Sequence, residues 1–195
     1  PQVSYGGSPE LKRFALALYD KGFNVVPVDK DKTPLTRWSA EWRVPREELL
    51  RALERAEGIA IVGGPENPFK GIRQHLVLID IDDPSLLREG SKLWNVVHNT
   101  ACWRTGPRCP KCGGKHLEVL EPGRRFRCKK CGAEFTVEEA KRGIGAAVFV
   151  SEDAVRKYLG GGTRRLGGVE ILARNYQLIP PSLHPTGVRY EWCSE

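Results

Sequence analysis

A short apolar run followed at once by two carboxylates constrains this chain more than any other segment. Residues 76–79 read Leu-Val-Leu-Ile, and Asp80 and Asp82 follow two positions apart. An uninterrupted branched run of this length is typical of a strand that is buried on both faces. Because side chains alternate along a strand, the two carboxylates should point to the same face. The segment therefore predicts a buried strand that ends in a pair of acidic groups.

The acidic pair has two interpretations. Neighbouring carboxylates repel each other unless a cation lies between them. Hard divalent ions such as Mg²⁺ prefer oxygen ligands, so the pair is consistent with metal-dependent phosphoryl transfer. The alternative is a polar turn at a strand end, where Asp83-Pro84 begins the next helix. The segment by itself does not decide between the two.

The composition describes a folded and basic protein. Of its 195 residues, 40% are hydrophobic and 28% are charged, which supports a core and is not typical of disorder. An excess of 31 basic over 24 acidic residues leaves a net charge of +7 and favours a polyanionic partner such as nucleic acid. No apolar run approaches the length of a membrane span. We therefore expect a cytoplasmic protein with no membrane partner.

Helical and strand patterns alternate and predict an α+β fold. Ser8-Pro9 should begin a helix that Gly22 ends, and Pro45 should begin a second helix. A third helix is expected from Pro84 to about Val97. Besides the acidic strand, strands are expected at 23–28, 58–62, 146–150, 168–172, 176–179 and 188–192.

Four of the six cysteines form two CxxC pairs with fifteen residues between them. The pairs are Cys109/Cys112 and Cys128/Cys131. This spacing matches a tetrahedral structural zinc site, and a glycine just after each pair allows a tight turn around the metal. Two disulfides or unrelated thiols are the alternative. We predict a zinc ribbon at 107–135, inserted into a domain formed by 1–106 and 136–195.

The other two cysteines, Cys102 and Cys193, have no partner motif and are expected to be plain buried thiols. Metal-type spacing at the four remaining positions also argues for a reducing compartment rather than for disulfides.

The ribbon has two possible roles. Zinc could simply hold together an insert that is too small for a core of its own. The ribbon could instead bind nucleic acid, with basic groups on phosphates and Phe126 stacked on a base. The basic residues are Arg124, Arg125, Arg127, Lys129 and Lys130. The sequence leaves both roles open.

Further candidates lie in the last third of the chain. Glu170 lies in a strand pattern, and three carboxylates would converge if that strand were next to the acidic one. Two Mg²⁺ or Mn²⁺ ions could then bridge an attacking hydroxyl and a leaving pyrophosphate; the alternative is a solvent-facing Glu on an edge strand. Ser182 and His184 alternate, share a face and could hold phosphate oxygens, although a lone His is more often a core or turn residue.

Taken in order, these segments resemble the archaeo-eukaryotic primase superfamily, and in particular the primase-polymerase domain of archaeal plasmid and viral replication proteins. The resemblance spans almost the whole chain outside the cysteine insert. It is carried by residues 19–28, 32–38, 58–64, 78–82 (Leu-Ile-Asp-Ile-Asp), 168–171 (Gly-Val-Glu-Ile) and 180–187 (Pro-Pro-Ser-Leu-His-Pro-Thr-Gly), with Tyr190 and Trp192.

The resemblance implies an RRM-like catalytic sheet beside a smaller α/β unit, and template-directed synthesis of primers and DNA by two-metal nucleotidyl transfer. By resemblance, Asp80, Asp82 and Glu170 are the catalytic ligands of Mg²⁺ or Mn²⁺. Nucleotide phosphates are expected to bind Ser182, His184, Lys32 and Arg37. The implied partners are a single-stranded DNA template, a primer, (d)NTPs and a helicase domain or protein.

One departure from the family pattern bears on activity. The family places a Gly-x-His element on a strand between the acidic motifs, where the His contacts the triphosphate. Here the strand reads Gly-Ile-Gly-Ala-Ala-Val-Phe-Val at 143–150, and Ala146 or Ala147 occupies the expected place. His116 could stand in, but its position inside the ribbon argues against it. A catalytically weakened DNA-binding module is therefore the alternative function, and a metal-dependent nuclease is a third.

Overall fold

Four helices and twelve strands form the described part, residues 7–65 and 74–193, of this computed structural model. The helices are α1 (Pro9–Asp20), α2 (Arg46–Leu53), α3 (Lys92–His98) and α4 (Glu152–Ala154), the last extended by a π turn (Val155–Leu159). The strands are β1 (Val25–Val28), β2 (Gly58–Val62), β3 (Gln74–Ile81), β4 (Ala101–Arg108), β5 (Leu117–Glu121), β6 (Arg125–Cys128), β7 (Glu134–Thr136), β8 (Lys141–Ser151), β9 (Thr163–Leu166), β10 (Val169–Leu172), β11 (Tyr176–Ile179) and β12 (Glu191–Trp192). The predicted α+β class is confirmed.

The strands form three antiparallel sheets. The central sheet has six strands in the order β12-β4-β8-β3-β10-β9. A second sheet has the order β1-β2-β11, and a third the order β5-β6-β7. The third sheet spans residues 117–136, where the sequence places the insert; the domain boundaries themselves stay a prediction.

The two faces of β3 lie against different cores, as expected for a strand without polar alternation. Leu76 and Leu78 pack into the main core, which α1, α2 and the second sheet form with one face of the central sheet. Ile79 and Ile81 pack on the opposite face, against Val97 of α3. Asp80 lies two positions after Leu78 and therefore on the same face of β3 as Leu76 and Leu78. Its carboxyl group points to the side of the sheet that carries the main core, at the edge of that core.

Local signals explain where two helices begin. Ser8 Oγ accepts a hydrogen bond from the backbone N–H of Leu11 at 3.2 Å, so α1 begins as predicted. The single helix predicted from Pro84 to Val97 is wrong, because the chain forms only a short 3₁₀ turn at Pro84–Leu86 and then breaks. Gly90 adopts a φ of 77°, outside the helical region, and Ser91 caps α3 instead.

The thiol prediction for Cys102 and Cys193 is also wrong. Strand β12 pairs with β4 so that Trp192 lies opposite Trp103, and the backbone N–H of Cys193 donates to the carbonyl of Cys102 at 2.9 Å. The two cysteines form a disulfide with a Cα–Cα distance of 5.5 Å, although 91 residues separate them. Sheet pairing alone brings them together, and spacing in the sequence carries no sign of it. Within the described residues, no helix is long and apolar enough to cross a membrane.

Candidate active site and metal centre

The acidic end of β3 lies beside β10. Glu170 is directly opposite Asp80 in this antiparallel pair. Directly opposed residues of adjacent antiparallel strands point to the same face, with Cβ atoms about 5 Å apart. Asp82 follows just past the end of β3, where its backbone N–H donates to the carbonyl of Gly168 at 2.9 Å. The topology therefore places β10 next to the acidic strand, as the sequence-based hypothesis requires.

The environment of Asp80 disfavours its ionised form. Its pKa is raised from 3.8 to about 6, chiefly by burial and then by the negative charge of Asp82. The charge of Glu170 acts in the same direction, whereas Arg108 and Lys32 lower the pKa. A carboxyl group in this environment is stabilised by a proton or by a cation close to its oxygens.

Arginines balance the other two carboxylates. Arg108 forms an ion pair with Asp82, and Arg165 Nε lies 2.5 Å from Glu170 Oε1. In the described ranges, only the cysteines bring three or more ligand atoms within 4.8 Å of one another, so the acidic set is more open than a closed metal cage. Its carboxylate oxygens are hard donors of the kind that Mg²⁺ or Mn²⁺ prefers. In the metal-free protein, each guanidinium balances a carboxylate charge that a divalent ion would otherwise balance.

A cleft of about 440 Å³ opens beside Asp80 and Asp82, and Glu170 is not among the residues that line it. Asp80 and Asp82 form its acidic part. Basic groups from separate segments surround them: Lys32, Arg108, Lys115, His116 and His184. Burial is the main cause of a lowered pKa at Lys32, and Asp80 acts against it. A cleft that combines carboxylates with cations can hold a divalent ion and a polyphosphate together.

His184 is held at the cleft as a neutral hydrogen-bond donor. His184 Nδ1 lies 2.9 Å from Thr186 Oγ1 and accepts from the backbone N–H of Thr186 at 3.3 Å, and with Nδ1 as the acceptor of both bonds the ring proton is on Nε2. The pKa of His184 is lowered to about 3, chiefly by burial and then by the charge of Lys32. The ring lies against Gly106, where a Cβ would be 2.5 Å from Nε2. A bulge in β4 between Arg104 and Pro107 gives the chain this close approach.

Two residues expected to bind phosphates do not line the cleft. Ser182 is fully buried, and its Oγ accepts from the N–H of Ile59 at 2.8 Å and donates to the carbonyl of the same residue at 3.0 Å. Its hydroxyl therefore ties the chain after β11 to β2. Arg37 is exposed and is not among the residues that form the cleft. Neither residue is brought together with the carboxylates.

The strand position next to Asp80 is a glycine. Gly145 lies opposite Asp80 on β8, whereas Ala146 is buried on the other face of the sheet. A Cβ at position 145 would lie 2.3 Å from Trp103 Nε1 and 2.8 Å from Gln177 Nε2. A histidine directly opposite Asp80 therefore has no room. Of the two positions that the resemblance indicates, Ala146 lies opposite Ile79 and Ala147 lies opposite Leu78.

Gln177 is a cleft residue that sequence reasoning missed. Its side chain lines the cleft, and the residue is only 8% exposed. Neither its amide nitrogen nor its amide oxygen has a hydrogen-bond partner among the described residues. Leaving a buried polar group unpaired costs roughly 1–3 kcal/mol, so this amide is a natural contact for a ligand. The only signal in the sequence is one amide within the short strand at 176–179.

The four predicted zinc ligands lie together. The sulfurs of Cys109 and Cys131 are 3.6 Å apart, those of Cys112 and Cys128 are 3.5 Å apart, and all four lie within 4.8 Å of one another. A tetrahedral zinc site with Zn–S bonds of about 2.3 Å separates its sulfurs by about 3.8 Å, so this cluster could hold zinc.

The basic end of the ribbon carries less unbalanced charge than the sequence suggests. Arg125 pairs with Glu121 at 3.1 Å, and Arg127 pairs with Glu134 at 2.6 Å and Glu118 at 3.0 Å. Phe126 is fully buried, so the prediction that it stacks on a base is wrong. Arg124, Lys129 and Lys130 are exposed, and nucleic-acid binding by this group stays a prediction.

A segment of the ribbon other than its basic end lines the cleft. Lys115 and His116, from the segment between its two cysteine pairs, line the cleft together with Asp80 and Asp82. The position of His116 inside the ribbon therefore does not keep it away from the catalytic sheet.

The cleft has the composition of a site for a polyphosphate ester and a divalent ion. A family model described as "Bifunctional DNA primase/polymerase, N-terminal" matches residues 15–195, and the chain belongs to this primase-polymerase family. A local similarity links it to the tRNA 2-agmatinylcytidine synthetase TiaS of Methanosarcina acetivorans, with 36% identity over 56 residues. The match covers 27% of this chain and 13% of the synthetase. No solved structure matches the chain.

Proposed function

We propose that the chain is a nucleotidyltransferase that makes and extends DNA primers on a single-stranded template from (d)NTPs. Family membership supports primase/polymerase function in general. The finer proposal is carried by one observation, the direct pairing of Glu170 with Asp80 beside a cation-lined cleft. The resemblance to replication proteins supports a role in plasmid or viral replication in the cytoplasm, with a helicase domain or protein as partner.

In this proposal Asp80, Asp82 and Glu170 hold two Mg²⁺ or Mn²⁺ ions. Ions bound there would lower the pKa of the attacking 3′-hydroxyl and balance the charge of the leaving pyrophosphate. The raised pKa of Asp80 supports its assignment, because burial and then the charge of Asp82 destabilise the ionised carboxylate, and a bound cation would stabilise it. Arg108 and Arg165 would release Asp82 and Glu170 when the ions bind.

Residues around the carboxylates would position the nucleotide. Lys32 carries an ammonium group at the cleft, and His184 offers a neutral Nε2–H donor to a phosphate oxygen. The 3′-oxygen would form a bond to the α-phosphorus while the bond to pyrophosphate breaks and the hydroxyl proton passes to solvent. These groups act mainly by holding the reacting atoms in line.

A template assay tests the proposal. Wild type, the double variant Asp80→Ala/Asp82→Ala and the control Asp153→Ala are each incubated with single-stranded DNA, Mn²⁺ or Mg²⁺ and labelled dNTPs. Asp153 is an exposed carboxylate on α4 that pairs only locally, with Arg156 at 3.0 Å. We expect elongated product from wild type and the control and none from the double variant. Product from the double variant would refute the proposal, and a shortened template would indicate a nuclease.

A DNA-binding module that has lost its chemistry is the second candidate. The arginine pairs on Asp82 and Glu170 and the glycine beside Asp80 favour it. In that case wild type would bind the template but yield no product with either metal. Three carboxylates near a phosphate backbone would weaken such binding, which is why we rank this candidate second.

A further inference from the structure

We propose that the ribbon forms part of the nucleotide site, and that Lys115 and His116 bind the triphosphate of the incoming nucleotide. This inference rests on the proposed function, since it assumes that a nucleoside triphosphate enters the cleft. It gives the ribbon a role in substrate binding in addition to any role in holding the insert together.

The position of the two side chains is the first argument. Lys115 and His116 line the same cleft as Asp80 and Lys32, and both are exposed at its edge. Lys32 and Lys115 both line this cleft, and the charge of Lys115 adds to burial and to the charge of Arg108 in lowering the Lys32 pKa. Clustered cations repel unless an anion lies between them, and a triphosphate is an anion of the right charge and shape.

The central sheet lacks enough basic groups of its own for this ligand. Gly145 leaves no room for a basic side chain beside Asp80. Arg108 pairs with Asp82 in the metal-free protein and becomes available only once ions bind, and His184 is neutral at pH 7 because burial lowers its pKa to about 3. Among the described residues, Lys32 is then the one ammonium group that the cleft receives from outside the ribbon. Lys115 supplies a second, and His116 adds a hydrogen-bond donor.

The cysteine cluster fixes the segment that carries both residues. The backbone N–H of Cys109 donates to the carbonyl of Gly114, and the N–H of Lys129 donates to the carbonyl of His116, both at 2.9 Å. A Cβ at Gly114 would lie 3.2 Å from the sulfur of Cys128, so this turn runs directly against the ligand sulfurs. Metal binding at the four cysteines would therefore set the positions of Lys115 and His116.

Backbone contacts at both ends hold the ribbon against the rest of the protein, and Val188 packs into its hydrophobic cluster. Strands β4 and β8 run side by side where the chain enters and leaves the ribbon, with Arg108 opposite Lys141. At the far end, the N–H of Gly123 in the β5–β6 turn donates to the carbonyl of Thr186 at 2.8 Å. Thr186 also holds His184, so the ribbon and the phosphate-binding histidine share one support.

Nucleotide binding by the zinc-loaded protein tests the inference. The double variant Lys115→Ala/His116→Gln is compared with wild type and with Lys157→Ala/His98→Gln, a control that removes the same groups from exposed sites on the π turn and on α3. Calorimetry with dATP and with dAMP in Mg²⁺ measures the contribution of the terminal phosphates. We expect dATP to bind about 10- to 100-fold more weakly and dAMP to bind nearly as well, because charge-assisted hydrogen bonds are lost.

Further measurements separate substrate contact from a structural effect. Zinc content should stay at the wild-type level, and Lys115→Ala alone repeats the test if the double variant loses zinc. Compared with Lys115→Ala, the variant Lys115→Arg should recover most of the dATP affinity of wild type, since it keeps the positive charge. In primer extension we expect a higher KM for dATP and an unchanged KM for the template.

The inference and the proposed function can fail separately. Unchanged dATP affinity in the zinc-loaded variant would overturn the inference even if wild type polymerises, and so would a loss confined to the template. Weaker dATP binding in the variant, combined with no product from wild type, would uphold the inference and refute the polymerase proposal.

Discussion

Replacing the buried carboxylate Asp80 by Asn should stabilise the metal-free protein while removing its response to divalent metal. The pKa of Asp80 is raised from 3.8 to about 6, chiefly by burial. Each pKa unit corresponds to 1.36 kcal/mol, so the ionised carboxylate costs the folded state about 3 kcal/mol at pH 7. The amide of Asn still has to be buried, and we therefore expect a net gain of about 1–2 kcal/mol in the free energy of unfolding.

The pH dependence gives this prediction its sign. The folded state holds a proton on Asp80 more tightly than the unfolded state, so the cost is complete above pH 6 and disappears as the pH falls toward 3.8. The stability advantage of Asp80→Asn should shrink over the same window. Urea unfolding of the zinc-loaded protein in buffer free of Mg²⁺ and Mn²⁺ at pH 7.5, 6 and 4.5 measures it, with the exposed Asp153→Asn as a control expected to show no advantage.

Metal addition completes the test. Mn²⁺ or Mg²⁺ should raise the melting temperature of wild type, since a ligand of the folded state stabilises it by mass action, and should have a much smaller effect on Asp80→Asn. The zinc content of both proteins should be equal before and after the addition of Mn²⁺ or Mg²⁺. An Asn variant that is no more stable than wild type at pH 7.5, or whose advantage persists undiminished at pH 4.5, would refute the electrostatic argument.

Three further perturbations follow from the structure. Gly145→Ala should lower the free energy of unfolding by about 1–3 kcal/mol because its Cβ overlaps a buried indole, and a melting temperature equal to wild type would contradict this. His184→Gln should flatten the loss of stability as the pH falls below 6.5, because the folded state takes up a proton only near pH 3 whereas the unfolded state does so near 6.5; urea unfolding at pH 7 and 5 measures the difference. Cys109→Ser/Cys112→Ser should release zinc and speed amide hydrogen exchange at 107–135 while the central sheet stays protected, and unchanged metal content would disprove the four-cysteine site.

Local chemistry in the sequence was enough to predict several elements of the fold and site. Ser8 and Pro9 start α1 because a hydroxyl cap and a residue without an N–H suit a helix beginning. The two cysteine pairs specify their own cluster, since four sulfurs at CxxC spacing have few other arrangements. The pairing of Asp80 with Glu170 followed from the family resemblance rather than from spacing, because nothing local states which strands are neighbours.

Long-range placement was beyond the sequence patterns. The disulfide between Cys102 and Cys193 and the burial of Ser182 depend on which segments pack together, and neither leaves a periodic signal. The same holds for Lys115 and His116, whose approach to the cleft depends on the angle at which the ribbon leaves the central sheet. The break before α3 could have been anticipated, since Gly90-Ser91 combines a residue that tolerates positive φ with a helix cap.

The packing of Trp103 over Gly145 also has an evolutionary consequence. The indole lies where the first side-chain carbon of any larger residue at position 145 would have to be, so one substitution cannot place an imidazole directly opposite Asp80 while Trp103 keeps its position. A smaller residue would first have to replace Trp103, and that ancestor would carry a cavity in its main core until the second substitution occurred. Because that intermediate would be less stable, selection would favour lineages that keep their phosphate-binding groups on the ribbon.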